Sequence, residues 1–509
     1  MTSTPETTEP RIIQGGMGVA ISSWRLARAV AREGALGVVS GTALDVVYAR
    51  RLQDGDPGGH VRWALAQFPV PRIAERVLAS YYIEGGKPAQ RPYRNVPMFT
   101  LQPPAALQEL TVAANFCEVL LAKQGHDGPV GINYLRKIEL PLPFACLGAM
   151  LAGVDYVLVG AGNPAEIPAL LGGLARHDDV VLAVRAQGAT SADPDISVRC
   201  SPRQLLGAGL PPLYPPRFVA IVASQDLAAG LAASPATRPA GFVVEGPSAG
   251  GHNAPPRGPR RVDELGQPVY DGRDQVDLAV MAGLGLPFWL AGSYGTPQGL
   301  RLALAAGAAG VQVGTAFAFS AESGLADPLK RQVLAQVAAG DVQVVADWRV
   351  SPTGFPFKVV QAAGTLSDDE VFAQRQPVCD LGALRTPYRK PDGSIGYRCP
   401  AEPTRVYIEH KGGRAANAEG RRCVCNALMA TADLPQHRPH GQVEPPLITA
   451  GNDFTAVAAL IADLPAGQEF YPARAVIDHL RGMTPDPDIG WDPVPCRSGR
   501  QSPGLTKPA

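Results

Sequence analysis

A single histidine follows a glycine-rich bend in the middle of the chain. Residues 242–256, FVVEGPSAGGHNAPP, begin as an apolar, β-branched run and then change abruptly to small residues before His252. This pattern is typical of a buried strand whose chain bends tightly and brings its backbone close to a ligand. Since an imidazole titrates near neutral pH, His252 is a candidate for proton transfer or substrate binding. On this stretch alone, a solvated histidine in an ordinary turn remains the alternative.

Cysteines form the second group of potentially reactive side chains. Half of the eight cysteines fall in one segment of the chain, at Cys379, Cys399, Cys423 and Cys425. Four thiolates can bind zinc or an iron–sulfur cluster, and His437 with His440 is an alternative pair of nitrogen ligands for the last two cysteines. Their spacing matches no standard zinc ribbon or ferredoxin pattern, so unrelated buried thiols are the competing interpretation. We predict a metal site here, with zinc as a structural ion or an iron–sulfur cluster as an electron carrier.

Composition excludes several classes of protein. The 46 basic and 46 acidic residues balance, which gives no indication of a nucleic-acid partner. Residues 1–9 lack the basic start and apolar core of a signal peptide, and we predict a loose tail there. The longest apolar stretch, residues 140–162, is broken by Pro141, Pro143 and Asp155, so no membrane span is expected. Eight cysteines in 509 residues do not suggest a disulfide framework, and we predict a cytoplasmic protein with reduced thiols.

Alternating strands and helices must position these side chains. Eight short apolar runs, most of them ending in small residues, are predicted as strands, with helical spacing between them. They occur at residues 11–18, 34–41, 129–134, 154–162, 218–224, within 242–256, and at 287–295 and 310–317. Such an alternation predicts parallel strands, and in a barrel of this kind catalytic groups collect at the carboxyl ends of the strands. The chain is long enough for a barrel of about 250 residues and an additional segment.

Loops after the last two predicted strands have the composition of a phosphate site. Gly292-Ser293 follows the seventh strand, and Gly314-Thr315 follows the eighth. Small residues expose backbone N–H groups, and in barrels these two loops commonly bind a phosphate. A requirement for close backbone packing would explain the glycine in either loop alone, but it is a less convincing explanation for the glycines in both loops.

Five of these stretches together resemble one enzyme family. They are residues 12–17 (IIQGGM), 131–133 (GIN), 249–252 (AGGH), 290–292 (LAG) and 311–315 (VQVGT). In this order they resemble the flavin-dependent nitronate monooxygenases, formerly called 2-nitropropane dioxygenases, and the related FMN-dependent enoyl reductases of fatty-acid and polyketide synthesis. The resemblance covers residues 10–330 and implies an α/β fold: a TIM-type (β/α)8 barrel with FMN at its mouth.

The resemblance also implies roles for individual residues. Gly16, Met17, Asn133, Gly250 and Gly251 would lie against the flavin. Gly292, Ser293, Gly314 and Thr315 would hold its phosphate, and His252 would be the catalytic histidine. The implied reaction is oxidation of alkyl nitronates with oxygen to a carbonyl compound and nitrite. An enoyl reductase using NAD(P)H, with an acyl carrier protein as partner, is the alternative, and a catalytically inactive flavin-binding scaffold is a third. The chain departs from the family pattern after His252, where Arg257, Arg260 and Arg261 would receive an anionic substrate or a phosphopantetheine arm, or would lie in a solvated loop.

Around the predicted barrel, residues 10–365, we expect further segments. Residues 45–128 form an elaborated connection between the second and third strands, either a lid or an oligomer contact in a homo-oligomer. Residues 180–184 and 196–199 form an inserted hairpin. A four-cysteine segment at 366–445, a helical segment at 446–482 and a loose tail at 483–509 complete the chain as a C-terminal, cysteine-containing extension.

Overall fold

The computed structural model of the protein describes residues 9–190, 196–207, 209–210 and 212–483. Most of both predicted tails, and Cys496, lie outside the described residues. The strands are β1 Ile12–Gln14, β2 Gly37–Ser40, β3 Val130–Leu135, β4 Tyr156–Gly160, β5 Val180–Ala183, β6 Ser197–Cys200, β7 Arg217–Val222, β8 Gly241–Glu245, β9 Phe288–Ala291, β10 Gly310–Val313, β11 Val344–Asp347, β12 Phe357–Val360, β13 Thr386–Arg389 and β14 Ile395–Arg398.

Helices occupy most of the remaining chain. They are α1 Trp24–Arg32, α2 Leu44–Gln53, α3 His60–Ala66, α4 Pro71–Tyr81, α5 Ala105–Lys123, α6 Leu142–Leu151, α7 Ile167–Ala175, α8 Pro202–Leu206, α9 Gln225–Ala232, α10 Leu278–Gly283, α11 Pro297–Ala305, α12 Thr315–Ala318, α13 Asp327–Ala339, α14 Asp369–Gln374, α15 Ala415–Ala418, α16 Val424–Thr431, α17 Thr455–Ala462 and α18 Ala473–Arg481. Short 3₁₀ turns lie at Gly272–Asp274 and Pro439–Gly441, and a π-helical turn lies at Val406–His410.

Eight parallel strands form the barrel in the order β1-β10-β9-β8-β7-β4-β3-β2. The ends of this sheet meet between β1 and β2, where Gln14 N donates to Leu36 O at 2.9 Å and Leu36 N donates to Ile12 O at 3.0 Å. The strands coincide with the eight predicted apolar runs, so the predicted TIM-type barrel is confirmed. The predicted hairpin is present as the antiparallel pair β5–β6.

Gln14 reinforces the β1–β2 seam with its side chain. The amide is fully buried; its Oε1 accepts a hydrogen bond from Val38 N at 3.0 Å, and its Nε2 donates to Ser22 Oγ at 2.8 Å. Ser22 Oγ in turn donates to Gly15 O and accepts from Met17 N, each at 2.9 Å. One buried amide therefore joins the two strands and also fixes the turn that follows β1.

Apolar side chains fill the interior of the barrel. A separate buried cluster inside the strands is formed by Ile13, Leu36, Val38, Tyr156, Leu158, Val219, Val243, Trp289 and Ala291. Because side chains alternate across a strand, the intervening residues face the surrounding helices and join the main core. The interior is thus packed at this level, and the open space lies beyond the carboxyl ends of the strands.

The connection between β2 and β3 is a helical layer. The helix α5 packs on α1, α2 and α6, and its Glu118 is fully buried. This carboxylate accepts hydrogen bonds from Trp24 N at 2.7 Å, Tyr48 Oη at 2.6 Å and Arg51 Nη1 at 3.0 Å. By length and composition α5 could span a membrane, but most of its surface is buried in the protein. It has the packing of a core helix.

The C-terminal extension returns to the barrel. Its last helix, α18, contacts α1, α11 and α12. The extension therefore packs on helices that follow β1, β9 and β10. A buried ion-pair network, in which Arg375 and Arg438 both contact Glu444, stabilises the loops of the extension.

We predict that Gln14→Leu lowers the free energy of unfolding by about 1–3 kcal/mol, because the buried Val38 N–H loses its acceptor. Urea unfolding followed by far-UV circular dichroism measures the change. Gln90→Leu, at an exposed position, is the matched control and should change stability by less than about 0.5 kcal/mol. Equal stability of the two variants would show that the seam does not depend on Gln14.

Candidate active site

A cleft of about 300 Å³ opens at the carboxyl ends of the barrel strands. All the cofactor-binding residues predicted from the sequence, and His252, lie on its walls: Gly16, Met17, Asn133, Gly250, Gly251, Gly292, Ser293, Gly314 and Thr315. These residues follow β1, β8, β9 and β10 or lie on β3. Parallel strands present their carboxyl ends at one rim, so residues far apart in the sequence converge there.

Backbone crowding shows why small residues form the cleft walls. A Cβ atom at Gly16 would lie 2.3 Å from Asn133 Cβ. A Cβ atom at Gly292, which has a φ of +95°, would lie 2.8 Å from Ser248 Oγ. The next residue, Ser293, is also left-handed with a φ of +59°, an uncommon conformation for a residue with a side chain. This pair bends the chain sharply after β9 and keeps its backbone at the cleft.

Two buried amide oxygens in the cleft have no hydrogen-bond partner among the described residues. They are Asn133 Oδ1 and Gln312 Oε1. A buried oxygen without a partner is costly, and a ligand with an N–H or O–H group could satisfy it. The isoalloxazine ring and the ribityl chain of FMN carry such groups. Gly16 and Gly292 have no side chains that would fill the space next to the two amide oxygens. The residues present therefore fit a flavin.

His252 is held rigidly on one wall of the cleft. Its Nε2 lies 2.6 Å from Ser351 Oγ, and its ring packs edge-on against Phe357 with 4.6 Å between ring centroids. Burial, assisted by the positive charge of Lys137, lowers the pKa of the imidazole to about 3. His252 is therefore neutral at physiological pH, and it can offer a hydrogen bond but is a weak proton acceptor.

Three charged residues accompany His252. Glu245 ends β8, and burial raises the pKa of its carboxyl group to about 7 against the opposing effect of two lysines. Burial lowers the pKa of both Lys137 and Lys358 to about 8, and Glu245 opposes the shift in each case. Lys358 Nζ donates to Pro247 O. The loop before His252 is thus tied to β12.

The C-terminal extension builds part of the cleft. Thr449 Oγ1 accepts a hydrogen bond from Gly251 N at 3.0 Å, and Gly451 N donates to Thr315 Oγ1 at 2.9 Å. Apolar residues from the extension and from the β2–β3 connection also line the cleft: Pro97, Phe99, Leu381, Leu384, Val424 and Leu428. Segments outside the barrel strands therefore complete the site.

Comparison with known proteins finds one matching family model. Residues 220–351 match the family model described as Nitronate monooxygenase. The resemblance to nitronate monooxygenases is confirmed. This match identifies the chain as an oxidoreductase, and it includes the loops after β8, β9 and β10 with His252. No curated protein matches the chain.

Three solved structures are similar in part to this nitronate monooxygenase-like chain. FabK from Thermotoga maritima is 17% identical with a TM-score of 0.43, and the match covers 93% of this chain and 92% of that chain. The enoyl reductase domain of MlnA from Bacillus amyloliquefaciens is 12% identical with a TM-score of 0.45 and the same coverage. Nitroalkane oxidase from Streptomyces ansochromogenes is 16% identical, covers 69% and 77%, and has a TM-score of 0.36. These similarities are too weak to assign a substrate.

The predicted metal site does not find support in the structure. Cys379, Cys399, Cys423 and Cys425 all line one small cavity of about 10 Å³. Even so, in the part of the chain that the structure describes, no three or more His, Cys, Asp or Glu side chains are arranged to hold an ion. His437 and His440 belong to no such group either. The Cys399 thiol donates a hydrogen bond that lowers the pKa of Cys379, and burial raises the pKa of Cys423 and Cys425.

The three arginines after His252 lie outside the cleft lining. Arg257 N donates to Asp274 Oδ1 at 2.7 Å, Arg261 pairs with Asp271, and Arg260 stacks over Trp348 at 4.4 Å. The solvated-loop interpretation fits these contacts better than a role in receiving a substrate.

Sequence reasoning missed the charged residues beside His252. A signal for two of them was present, because Glu245 ends an apolar strand and Lys358 interrupts the apolar run of β12. A charge in such a run is unusual and indicates a site. Lys137, in the loop after β3, carries no comparable signal.

The depressed pKa of His252 predicts a pH dependence of stability. Since the folded state disfavours the imidazolium, this contribution is fully present above about pH 6.5 and is lost as the pH falls toward 3. We expect wild type to lose about 1–2 kcal/mol relative to His252→Gln between pH 7.5 and pH 5.0, measured by urea unfolding. The substitution His410→Gln, at an exposed histidine, is the control. A pH-independent gap for His252→Gln would contradict the neutral imidazole.

Proposed function

We propose that the chain is an FMN-dependent oxidoreductase that oxidises alkyl nitronates with oxygen to a carbonyl compound and nitrite. The observation that carries this proposal is the single cleft that brings His252 together with all the predicted flavin-binding residues. The family match supports the class of reaction. The substrate and the dependence on FMN are our proposal.

Two groups of residues would bind different parts of the cofactor. Gly292, Ser293, Gly314 and Thr315 would hold the phosphate, since their loops expose backbone N–H groups at the rim. The ring would lie among Gly16, Met17, Asn133, Gly250 and Gly251. Bound FMN would supply the electron-transfer chemistry that side chains of the barrel lack.

His252 would position the substrate. An alkyl nitronate is already an anion, so its oxidation does not require a protein base to remove a proton. A neutral imidazole fixed by Ser351 and Phe357 can donate a hydrogen bond to the substrate without reorganising, which is how pre-oriented groups assist a reaction. The site is therefore better suited to the nitronate than to the neutral nitroalkane, from which a proton would have to be removed.

Enoyl reduction is the second candidate, and apolar residues in the cleft lining favour it. Phe99, Leu381 and Leu428 line the cleft and offer apolar surface to an acyl chain. This reaction would use NAD(P)H, with an acyl carrier protein delivering the enoyl thioester. If the chain bound flavin but catalysed neither reaction, it would be a flavin-binding scaffold. The cytoplasmic location and a homo-oligomer remain predictions from the sequence.

Flavin binding can be tested at β9. We expect Gly292→Ala to weaken FMN binding by about tenfold or more, because the new Cβ would lie 2.8 Å from Ser248 Oγ and 3.0 Å from Ala249 N. Fluorescence titration of FMN measures the affinity. The matched control is Gly285→Ala: Gly285 also has a positive φ, but open space surrounds it, and FMN binding should not change. Similar affinities in both variants would argue against a cofactor at this loop.

Turnover tests the reaction itself. Wild type should release nitrite from an alkyl nitronate, with oxygen uptake and without nicotinamide. We expect His252→Asn to retain FMN and to lose about 10- to 100-fold in kcat/KM for the nitronate, because the substrate loses a fixed hydrogen-bond donor. The exposed His410→Asn is the control.

Other outcomes have distinct meanings. Oxidation of NAD(P)H with an enoyl thioester, and no nitrite from the nitronate, would replace the first candidate with the second. Tight FMN binding without either reaction would indicate the scaffold. Full nitronate turnover by His252→Asn would remove His252 from the proposed site while leaving the reaction in place.

A further inference from the structure

One ammonium group faces the cleft without an acidic partner. Lys137 lies in the loop after β3 and lines the same cavity as His252. Its Nζ is 3.2 Å from the centroid of the Phe355 ring. A cation above an aromatic face is held in place while its N–H donors remain available to a second partner. The structure therefore fixes the position of this charge without neutralising it.

The other charged groups nearby do not neutralise Lys137. The charge of Glu245 acts on Lys137, but it acts on Lys358 as well. Within the described ranges no carboxylate forms an ion pair with Lys137, and its Nζ donates no hydrogen bond. Lys358, by contrast, already donates to Pro247 O. Two lysines and one carboxylate, beside a neutral His252, leave this wall with an excess positive charge.

Three charged residues elsewhere in the cleft have their own partners. Glu139 pairs with Arg136 at 2.6 Å, and Arg385 donates to Phe99 O at 2.7 Å. Asp453 accepts from Thr455 N at 2.9 Å. Asp45 also lines the cleft, and burial raises the pKa of its carboxyl group to about 6. None of these groups forms an ion pair or a hydrogen bond with Lys137.

We propose that Lys137 binds the anionic oxygens of the substrate on the wall that also carries His252. This inference rests on the proposed function and specifies the substrate class of the same site: a planar anion with two oxygens that share one charge. A nitronate has this form, and a carboxylate is its unreactive counterpart. An ammonium group recognises such oxygens by charge-assisted hydrogen bonds, which are stronger than neutral ones.

Binding of an unreactive anion tests Lys137 without turnover. Isothermal titration calorimetry at pH 7 of the FMN-loaded protein would compare butyrate with its neutral amide, butyramide. We expect Lys137→Met to bind butyrate about tenfold or more weakly than wild type and to bind butyramide equally well. Lys137→Arg keeps the charge and should remain within about threefold of wild type for butyrate.

A matched control addresses loss of structure. Lys87 also stacks on an aromatic ring, that of Tyr93 at 4.2 Å, but lies outside the cleft lining. Lys87→Met should leave butyrate binding unchanged. If Lys137→Met proves unstable in thermal unfolding, a crystal structure of wild type with butyrate decides the matter: a carboxylate against Lys137 Nζ supports the inference, and a carboxylate elsewhere overturns it.

The outcomes separate this inference from the proposed function. Wild-type butyrate affinity in Lys137→Met, or equal losses for butyrate and butyramide, would overturn the role of Lys137 even if nitrite is released normally. Lys137-dependent butyrate binding in a protein that releases no nitrite would uphold anion recognition while refuting nitronate oxidation. Absence of butyrate binding in wild type would overturn the inference.

Discussion

Closure of the barrel between β1 and β2 is the constraint on which the candidate site depends. The two strands share few backbone hydrogen bonds, and the buried amide of Gln14 joins them by accepting from Val38 N. The same amide donates to Ser22 Oγ, which fixes the turn at Gly16 and Met17. Since a buried amide is costly unless it is satisfied, the seam and the first cleft loop form together. An open seam would leave β1 paired with β10 but would separate Gly16, which follows β1, from Asn133 on β3.

Enclosure by segments outside the barrel determines the electrostatics of the cleft. Thr449 holds the backbone of Gly251, and Phe357 and Ser351 fix the His252 ring. Burial disfavours the charged form of each ionisable side chain. It keeps His252 neutral, raises the pKa of the Glu245 carboxyl group and lowers the pKa of Lys137 and Lys358. The C-terminal extension is therefore part of the site as well as an addition to the barrel, and its last helix also packs on α1 and α11.

Sequence patterns predicted features that depend on a few neighbouring residues better than features that depend on contacts between distant residues. The apolar runs and the glycine turns predicted all eight barrel strands, because alternation and backbone bending are properties of a few neighbouring residues. The four cysteines were different. The four cysteines do lie around one cavity. Ion binding, however, needs a specific arrangement of donor atoms, and clustering of cysteines in the sequence does not provide it. Similarly, Arg260 and Arg261 are engaged with Trp348 and Asp271, partners that their spacing did not reveal.

The sequence by itself determined the barrel, the order of its strands along the chain and the small residues that leave its rim open, together with His252 at that rim. These features follow from side-chain size, backbone freedom and periodicity, which are encoded locally. Only the tertiary structure decided that Lys137 and Glu245 lie beside His252, that Thr449 and Thr315 connect the extension to the cleft, and that the histidine is neutral. Contacts between residues a hundred or more positions apart arise from packing of the whole chain, and these contacts exclude water from the cleft. No short stretch of the sequence is sufficient to predict them.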